Sequence, residues 1–304
     1  MMLASKENAA KLAIASVSFL VLIKVVASIL TGSISILADA VHSSLDLIAA
    51  FITFIGVRVS GRPADEQHPF GHGKAENVTS VVVVGLIFTA AGIIVYTAVK
   101  RLIAGASLEL IGIGIYVTAA AIVINILISR YLVRVSRSTD SLALEAEAAH
   151  LFSDVLSSCA VLVGLIVIRV TGLNIADPIV ALLVALVILK VGYDVLRKSF
   201  GGLIDVKLPE AEENTIRSCI MEHGSELVGF HELRTRKAGS QRFIDLHLVM
   251  PKNASVEKAH RMCDHLEQDI ENRLPHSSVT IHVEPCSIEC DHCYVSCNLR
   301  KRSP

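Results

Sequence analysis

The sequence predicts an α-helical membrane protein: six transmembrane helices followed by a small α+β cytosolic domain with the element order α-β-β-α-β. Three observations carry that prediction. Of the 304 residues, 52% are hydrophobic, and the mean hydropathy of +0.58 exceeds what a soluble domain of ordinary composition shows. Six apolar runs are long enough to cross a bilayer, which takes roughly 20 residues each. After Gly201 and Gly202 the pattern changes to amphipathic helix and alternating strand.

The six runs extend from Leu12 to Leu30, Ile34 to Val59, Val78 to Val99, Leu108 to Leu132, Ala143 to Val170 and Pro178 to Leu196. Only Thr31, Gly32 and Ser33 separate the first two, which predicts a tight helical hairpin. Lys and Arg set the orientation. With the N-terminus inside, the cytoplasmic side receives Lys6, Lys11, Arg58, Arg62, Lys74, Arg130, Arg134, Arg137, Arg197 and Lys198. The opposite side receives Lys100, Arg101 and Arg169. Both termini are therefore expected in the cytoplasm, and the chain in the cell (inner) membrane. No cleavable signal peptide is expected, because no small-residue cleavage site follows the first apolar run. Lys24 and Lys190 fall inside apolar runs and are read as snorkelling or packing against helix carbonyls.

Beyond the spans, "LPEAEENTIRSCIMEHG" reads as an amphipathic helix, and "VGFHELRTRKAG" with "QRFIDLHLVM" as a strand pair joined by a glycine turn. "SVEKAHRMCDHLEQDIENRLP" has helical apolar spacing, and "SVTIHVEP" alternates like a strand. The expected domains are residues 1–206, transmembrane; 207–286, a cytosolic metal-binding and dimerisation domain; and 287–304, a Cys-rich tail. A core of that size is modest, so dimerisation is expected to support it. The net charge of −1 argues against a nucleic-acid partner.

The chemistry sits in four places. In "ADAVHSSLDL" His42 and Asp46 are four residues apart, so they stack on one helix face, with Asp39 on the same side. "EAAHLFSDVL" repeats the device with His150 and Asp154. Two imidazoles and two carboxylates make the four N/O ligands of a tetrahedral divalent metal. A structural pairing between helices is the alternative, but ionisable groups at membrane depth are expensive, and two copies of one spacing favour function. Two aspartates carry two negative charges, which one Zn²⁺ or two protons cancel in a low-dielectric medium. Such a site has reason to exchange metal for protons.

The loop "PADEQHPFGHGKAENV" holds Asp65, His68 and His72, with Gly71 and Gly73 allowing a tight backbone. This spacing suits metal; a polar surface is the alternative. The cytosolic domain carries His231, His247, His260 and His282, with Glu284 two residues past the last, a set that forms a metal cluster if the strands bring it together. His223, His265 and His276 are read as surface residues. The tail has Cys286, Cys290, Cys293 and Cys297 beside His292. Four thiolates close a zinc site, and a redox-exposed tail is the alternative.

On "SILADAVHSSLD", "HPFGHGKAE", "HLFSDV" and the histidine-bearing domain with "LRTR", the chain resembles the cation diffusion facilitator family of divalent-metal transporters, over roughly residues 10 to 286. The resemblance implies a homodimer that exports metal from the cytoplasm by proton antiport and alternating access. It implies a transport site at His42, Asp46, His150 and Asp154, a loop site at Asp65, His68 and His72, and a regulatory cytosolic site at His231, His247, His260 and His282. Bacterial relatives often place aspartate where this chain has Glu284. Some place aspartate at position 42, and those tend to accept cadmium as well. The cysteine tail lies outside the pattern.

Zn²⁺ is the expected substrate and regulatory ligand, because a compact two-nitrogen, two-oxygen set suits a tetrahedral ion; Fe²⁺, Co²⁺ and Cd²⁺ are the alternatives. The rival class is a membrane-anchored metal sensor without net transport, which needs no ionisable pair in the fifth helix. An enzyme is not expected: the sequence has no His-Glu-x-x-His, and four protein ligands leave no open position for catalytic water.

Overall fold

Long helices come first in the computed structural model, which describes residues 2–31, 34–104, 112–171 and 175–286. They are α1 (Met2–Thr31), α2 (Ile34–Ser60), α3 (Lys74–Ala104), α4 (Gly112–Thr139), α5 (Leu142–Thr171) and α6 (Ala176–Leu203). The chain divides into two units, Met1–Leu203 and Ile204–Pro304. In the first unit the runs are apolar almost all round, the pattern of helices that meet lipid on one side and each other on the other. Only a helix satisfies its own backbone there. Several helices outrun their apolar cores; α1 begins ten residues before Leu12, in a polar turn carrying Lys6.

Five of these helices carry a stretch apolar and long enough to span: Ser5–Leu30, Ser43–Ser60, Lys74–Ile103, Tyr116–Thr139 and Pro178–Leu203. Among the described residues this supports five of the six expected spans. The sixth run, on α5, includes residues 161–162 and 164–171, whose side chains lie outside the described residues.

Packing explains why α5 tolerates its ionisable groups. One buried cluster joins Ala9, Ala13 and Val17 of α1 with Leu132 of α4 and Leu144, Ala148 and Leu151 of α5. A second joins Val84, Ile87 and Ala91 of α3 with Ala146 and Ala149 of α5 and Ile188 of α6. α5 is shared by both. Glu147, His150 and Asp154 fall between the two apolar faces, on a stripe spaced three and four residues apart. At the other end of the sequence pattern, Lys6 is buried rather than presented to solvent. Its Nζ lies 2.9 Å from Glu76 Oε1, tying the start of α1 to the start of α3, and Ser60 Oγ donates to the same oxygen at 3.0 Å.

The second unit runs α7 (Glu210–Glu222), β1 (Gly229–Ala238), β2 (Gln241–Met250), α8 (Val256–Arg273) and β3 (Ser277–Pro285), the predicted order. Three glutamates in the first turn of α7 suit the positive end of the helix dipole. Ser255 caps α8 by accepting the Lys258 N–H at 3.2 Å. β2 is central: it pairs antiparallel with β1 and parallel with β3. Ile244, Leu246, Leu248 and Met250 of β2 pack with Ile216 and Ile220 of α7 and Met262, Leu266 and Ile270 of α8. The alternate residues, including His247, face the side of the sheet without helices.

Close approach in the first unit depends on glycine. A Cβ on Gly56 of α2 would stand 2.1 Å from Thr79 Oγ1 and 2.7 Å from Thr79 Cβ on α3. Gly56→Val is therefore expected to separate α2 from α3 and to cost about 1–3 kcal/mol. Gly85→Ala is the control, since its Cβ would meet nothing within 4 Å. Thermal unfolding in detergent should show a drop for Gly56→Val alone; equal behaviour of the two variants would mean that this contact does not set the packing.

Candidate metal centre

α2 and α5 run antiparallel past each other, and their ionisable stripes meet. Asp46, His150 and Asp154 offer ligand atoms that all lie within 4.8 Å of one another. His150 Nε2 stands 3.4 Å from Asp46 Oδ1. His150 is 5% exposed and Asp46 8%. Among the described residues neither ring nitrogen of His150 has a hydrogen-bond partner, and neither has Asp154 Oδ2. Buried polar atoms are ordinarily paired, so an unpaired imidazole facing two carboxylates is a donor set shaped for a cation. Asp39 and His42 lie on α2, two turns and one turn before Asp46; their side chains lie outside the described residues.

A cavity of about 80 Å³ adjoins the cluster, walled by Lys24, Ser43, Asp46, Asn125, Asp154 and Ser157 among others. Here the snorkelling alternative for Lys24 falls. Lys24 does not snorkel: it is 8% exposed, and its Nζ donates to Ser43 Oγ at 2.7 Å. Its position in an apolar run gave no sign that the cation would face two carboxylates across a cavity. Lys190, by contrast, is exposed on α6.

The loop between α2 and α3 gathers Asp65, His68 and His72. Asp65 Oδ1 accepts the backbone N–H groups of Gln67 at 3.0 Å and His68 at 2.7 Å, which folds the loop around the carboxylate. His68 Nδ1 lies 3.1 Å from Asp65 Oδ1, and His72 Nε2 3.4 Å from Oδ2. Gly71 takes a left-handed conformation (φ 78°) that turns the chain back between the histidines. The His68 backbone N–H is the main cause that holds the Asp65 carboxyl below its ordinary value of 3.8. This exposed triad is an anionic oxygen flanked by two imidazoles.

In the second unit, strand register makes the cluster. His231 pairs with His247, and His247 with His282, so the three stand in a row across the helix-free face. Their ring centroids are 5.2 and 4.8 Å apart. Glu284 reaches back to all three: Oε1 lies 2.9 Å from His247 Nδ1 and 3.7 Å from His282 Nε2, and Oε2 lies 3.2 Å from His231 Nε2. The hydrogen bond with His247 is the main cause keeping the Glu284 carboxyl below its ordinary 4.5. The longer glutamate arm is what lets one carboxylate span the row.

Glu232 joins this group unannounced. Strict alternation puts residues 231 and 232 on opposite faces, but β1 bulges between His231 and Arg234, and Glu232 has φ 50°. Its Oε2 comes within 3.7 Å of His247 Nε2. His260 is not brought into the row. It is exposed on α8, its Nδ1 3.5 Å from Asp264 Oδ1. His223 is more than a surface residue: it ends α7 and its Nε2 lies 2.8 Å from Asp269 Oδ2. Of the tail cysteines, Cys286 is 5% exposed, and its N–H donates to the Met250 carbonyl at 2.9 Å. Cys290, Cys293 and Cys297 lie outside the described residues.

The chain is similar to known cation efflux proteins. Residues 10–204 match the cation efflux transmembrane domain, and residues 208–286 the cytoplasmic domain of cation efflux proteins. An uncharacterized transporter of Synechocystis sp. is 37% identical over 263 residues, covering 86% of this chain and 85% of its own. The cation-efflux pump FieF of Salmonella paratyphi A is 37% identical over 286 residues, 93% of each chain. A solved structure of CzrB in its zinc form is 38% identical over 29% of this chain and 97% of its own, with a TM-score of 0.26. The chain belongs to the cation diffusion facilitator family: it is a multi-pass inner-membrane transport protein for divalent metal cations, with a C-terminal cytoplasmic domain, and not an enzyme.

Proposed function

We propose that this chain exports Zn²⁺ from the cytoplasm in exchange for protons, working as a homodimer by alternating access. The observation that carries the reading is the convergence of Asp46, His150 and Asp154 within 4.8 Å, on two helices of the membrane unit. His42 is read as the fourth ligand, one turn along α2 from Asp46. Two imidazoles and two carboxylates favour a tetrahedral, borderline ion over manganese, which prefers more oxygens. The paired aspartates require compensation when the ion leaves, and two protons supply it. The relative named a cation-efflux pump supports the direction of transport.

In this reading all six long helices span the bilayer, α5 included, because its acidic stripe faces the transport site rather than lipid. Residues 1–206 form the transport domain and 207–286 the regulatory domain, with both termini cytoplasmic. The triad Asp65, His68 and His72 is a loop metal site. His231, His247, His282 and Glu284, with Glu232 at their edge, bind regulatory metal; His260 stays outside the set that one chain assembles. Metal shared across two copies of this exposed face would draw the cytoplasmic domains together. The reading assigns no role to the Cys-rich tail. A sensor without net flux has no use for the α5 stripe.

Asp154→Ala removes half of the transport site's negative charge. Purified and reconstituted in proteoliposomes under a pH gradient, it is expected to lose zinc flux while staying folded. Near-normal flux would remove Asp154 from the site.

His42→Asp replaces a single directed nitrogen by a carboxylate that can bind through two oxygens. It is expected to keep zinc transport and to raise cadmium relative to zinc by roughly ten- to a hundredfold, about 1–3 kcal/mol. The added negative charge moves the flux optimum to higher pH, because protons compete better for the site. Paired zinc and cadmium uptake decides this, an unchanged ratio counting against position 42 as a selectivity ligand.

The cytoplasmic cluster is tested in the full-length protein by the zinc-induced rise in Tm. His247→Ala, which deletes the central imidazole of the row, should shrink that rise, and Glu284→Gln should do so too. The transport site is intact in both variants, so the difference from the parent isolates the cluster. An undiminished rise in both would mean that the row binds no stabilising zinc.

A further inference from the structure

We propose that Glu147, held by Thr53, is a relay ligand for the divalent cation: a second binding position on the cytoplasmic side of the transport site, through which the ion passes to reach Asp46, His150 and Asp154. This inference rests on the transport reading above and extends it by one residue that the sequence patterns did not single out.

Glu147 is fully buried, at 0% exposure, as is Thr53. The Thr53 hydroxyl donates to Glu147 Oε2 at 2.9 Å. The other oxygen, Oε1, has no hydrogen-bond partner among the described residues. A carboxylate anchored at one oxygen and open at the other is costly to bury, since a single neutral hydroxyl does little to replace water around a charge. Glu147 stands one turn before His150, whose ring nitrogens likewise have no hydrogen-bond partner among the described residues, although Nε2 lies 3.4 Å from Asp46 Oδ1. Long side chains in a helix lean toward its N-terminus, so the His150 ring tilts over the turn that carries Glu147.

Register and direction make this a path. Thr53 is seven residues after Asp46 on α2, and Glu147 seven residues before Asp154 on α5. Because α2 and α5 are antiparallel, Thr53–Glu147 repeats the Asp46–Asp154 pairing about 10 Å along the helices. That displacement is toward the cytoplasm. Lys198 near the end of α6 pairs with Glu145 at the start of α5 at 2.6 Å, and α6 leads directly into the cytoplasmic domain. By height along α5, Glu147 and His150 come before Asp154 on that side. Exchanging water for protein ligands in two stages divides the dehydration of a divalent cation, and a carboxylate at the inner stage raises the local cation concentration. Thr53 acts as a positioning residue, fixing which oxygen stays open.

The test compares zinc transport by the full chain in vesicles that present its cytoplasmic face to zinc. Glu147→Gln keeps the shape and an oxygen for Thr53 but removes the charge. It is expected to lower kcat/KM by on the order of tenfold, through KM, with kcat and Tm close to the parent. Glu147→Asp, which keeps the charge, should recover part of that loss. A Glu147→Gln protein with the parent's kcat/KM, or one impaired in kcat alone, would overturn the relay. Asp154→Ala is measured alongside. If it loses flux while Glu147→Gln transports like the parent, the relay fails and the transport reading stands. If Asp154→Ala transports normally, both fail.

Discussion

Burying negative charge within a bilayer is the constraint around which the membrane unit is organised. Carboxylates at Asp46, Glu147 and Asp154 would be intolerable against lipid, and each therefore faces a helix neighbour. Full internal pairing would have been the stable solution. Instead the described residues leave both ring nitrogens of His150 and one oxygen each of Glu76, Glu147 and Asp154 without hydrogen bonds. The buried ion pair Lys6–Glu76 balances charge near the starts of α1 and α3, although Glu76 Oε2 also has no hydrogen bond among the described residues. What distinguishes the two places is the counter-charge: Lys6 stands 2.9 Å from Glu76, whereas Glu147 has only the Thr53 hydroxyl as hydrogen-bond partner among the described residues. Lys24 is the further ingredient: its Nζ, held by Ser43, lines the same cavity as Asp46 and Asp154.

α5 bears this load because it is packed on both flanks. Small residues, Ala146, Ala148 and Ala149, let the α1–α4 and α3–α6 neighbours approach closely. That leaves a narrow stripe for Glu147, His150 and Asp154 to meet α2. A helix shared by two apolar clusters can present polar groups at defined height without exposing them to lipid. Motion of one cluster against the other would change the surroundings of that stripe. Gly56 on α2 belongs to the same economy, since its missing side chain seats α2 against α3.

The cytoplasmic domain solves a different problem with a sheet. α7 and α8 cover one face and bury its aliphatic residues; the other face carries a row of histidines. Parallel pairing of β3 with β2 places Glu284 two residues beyond His282, where its arm returns across the row. The positive φ at Glu232 is unusual for a residue other than glycine, and it marks the point where β1 departs from alternation beside the cluster. Strain at that place is consistent with a ligand-binding edge rather than a defect in the sheet.

Much of this protein was legible in one dimension because its signals are local. Length and hydropathy identified the apolar helices, and the change of period after Gly202 identified the α-β-β-α-β domain. His42 with Asp46 and His150 with Asp154 are spaced by one helical turn, so each pair could be read without knowing where the helix lies. Asp65, His68 and His72 are likewise within one loop, and the structure gathers them. The rest needed tertiary contacts. Nothing local says that α2 and α5 are antiparallel neighbours in a register that places Thr53 against Glu147, and an acidic residue near a helix start reads as ordinary capping. Lys24 looked like a snorkelling residue because the cavity facing it is built by other helices. The bulge that brings Glu232 to His247 is invisible to a period-two pattern, and the surface of α8 that keeps His260 out of the row is set by which of its faces meets the sheet. Spacing along an element is fixed by the sequence through backbone geometry. Which elements face each other, and at what height, is decided only when their side chains pack.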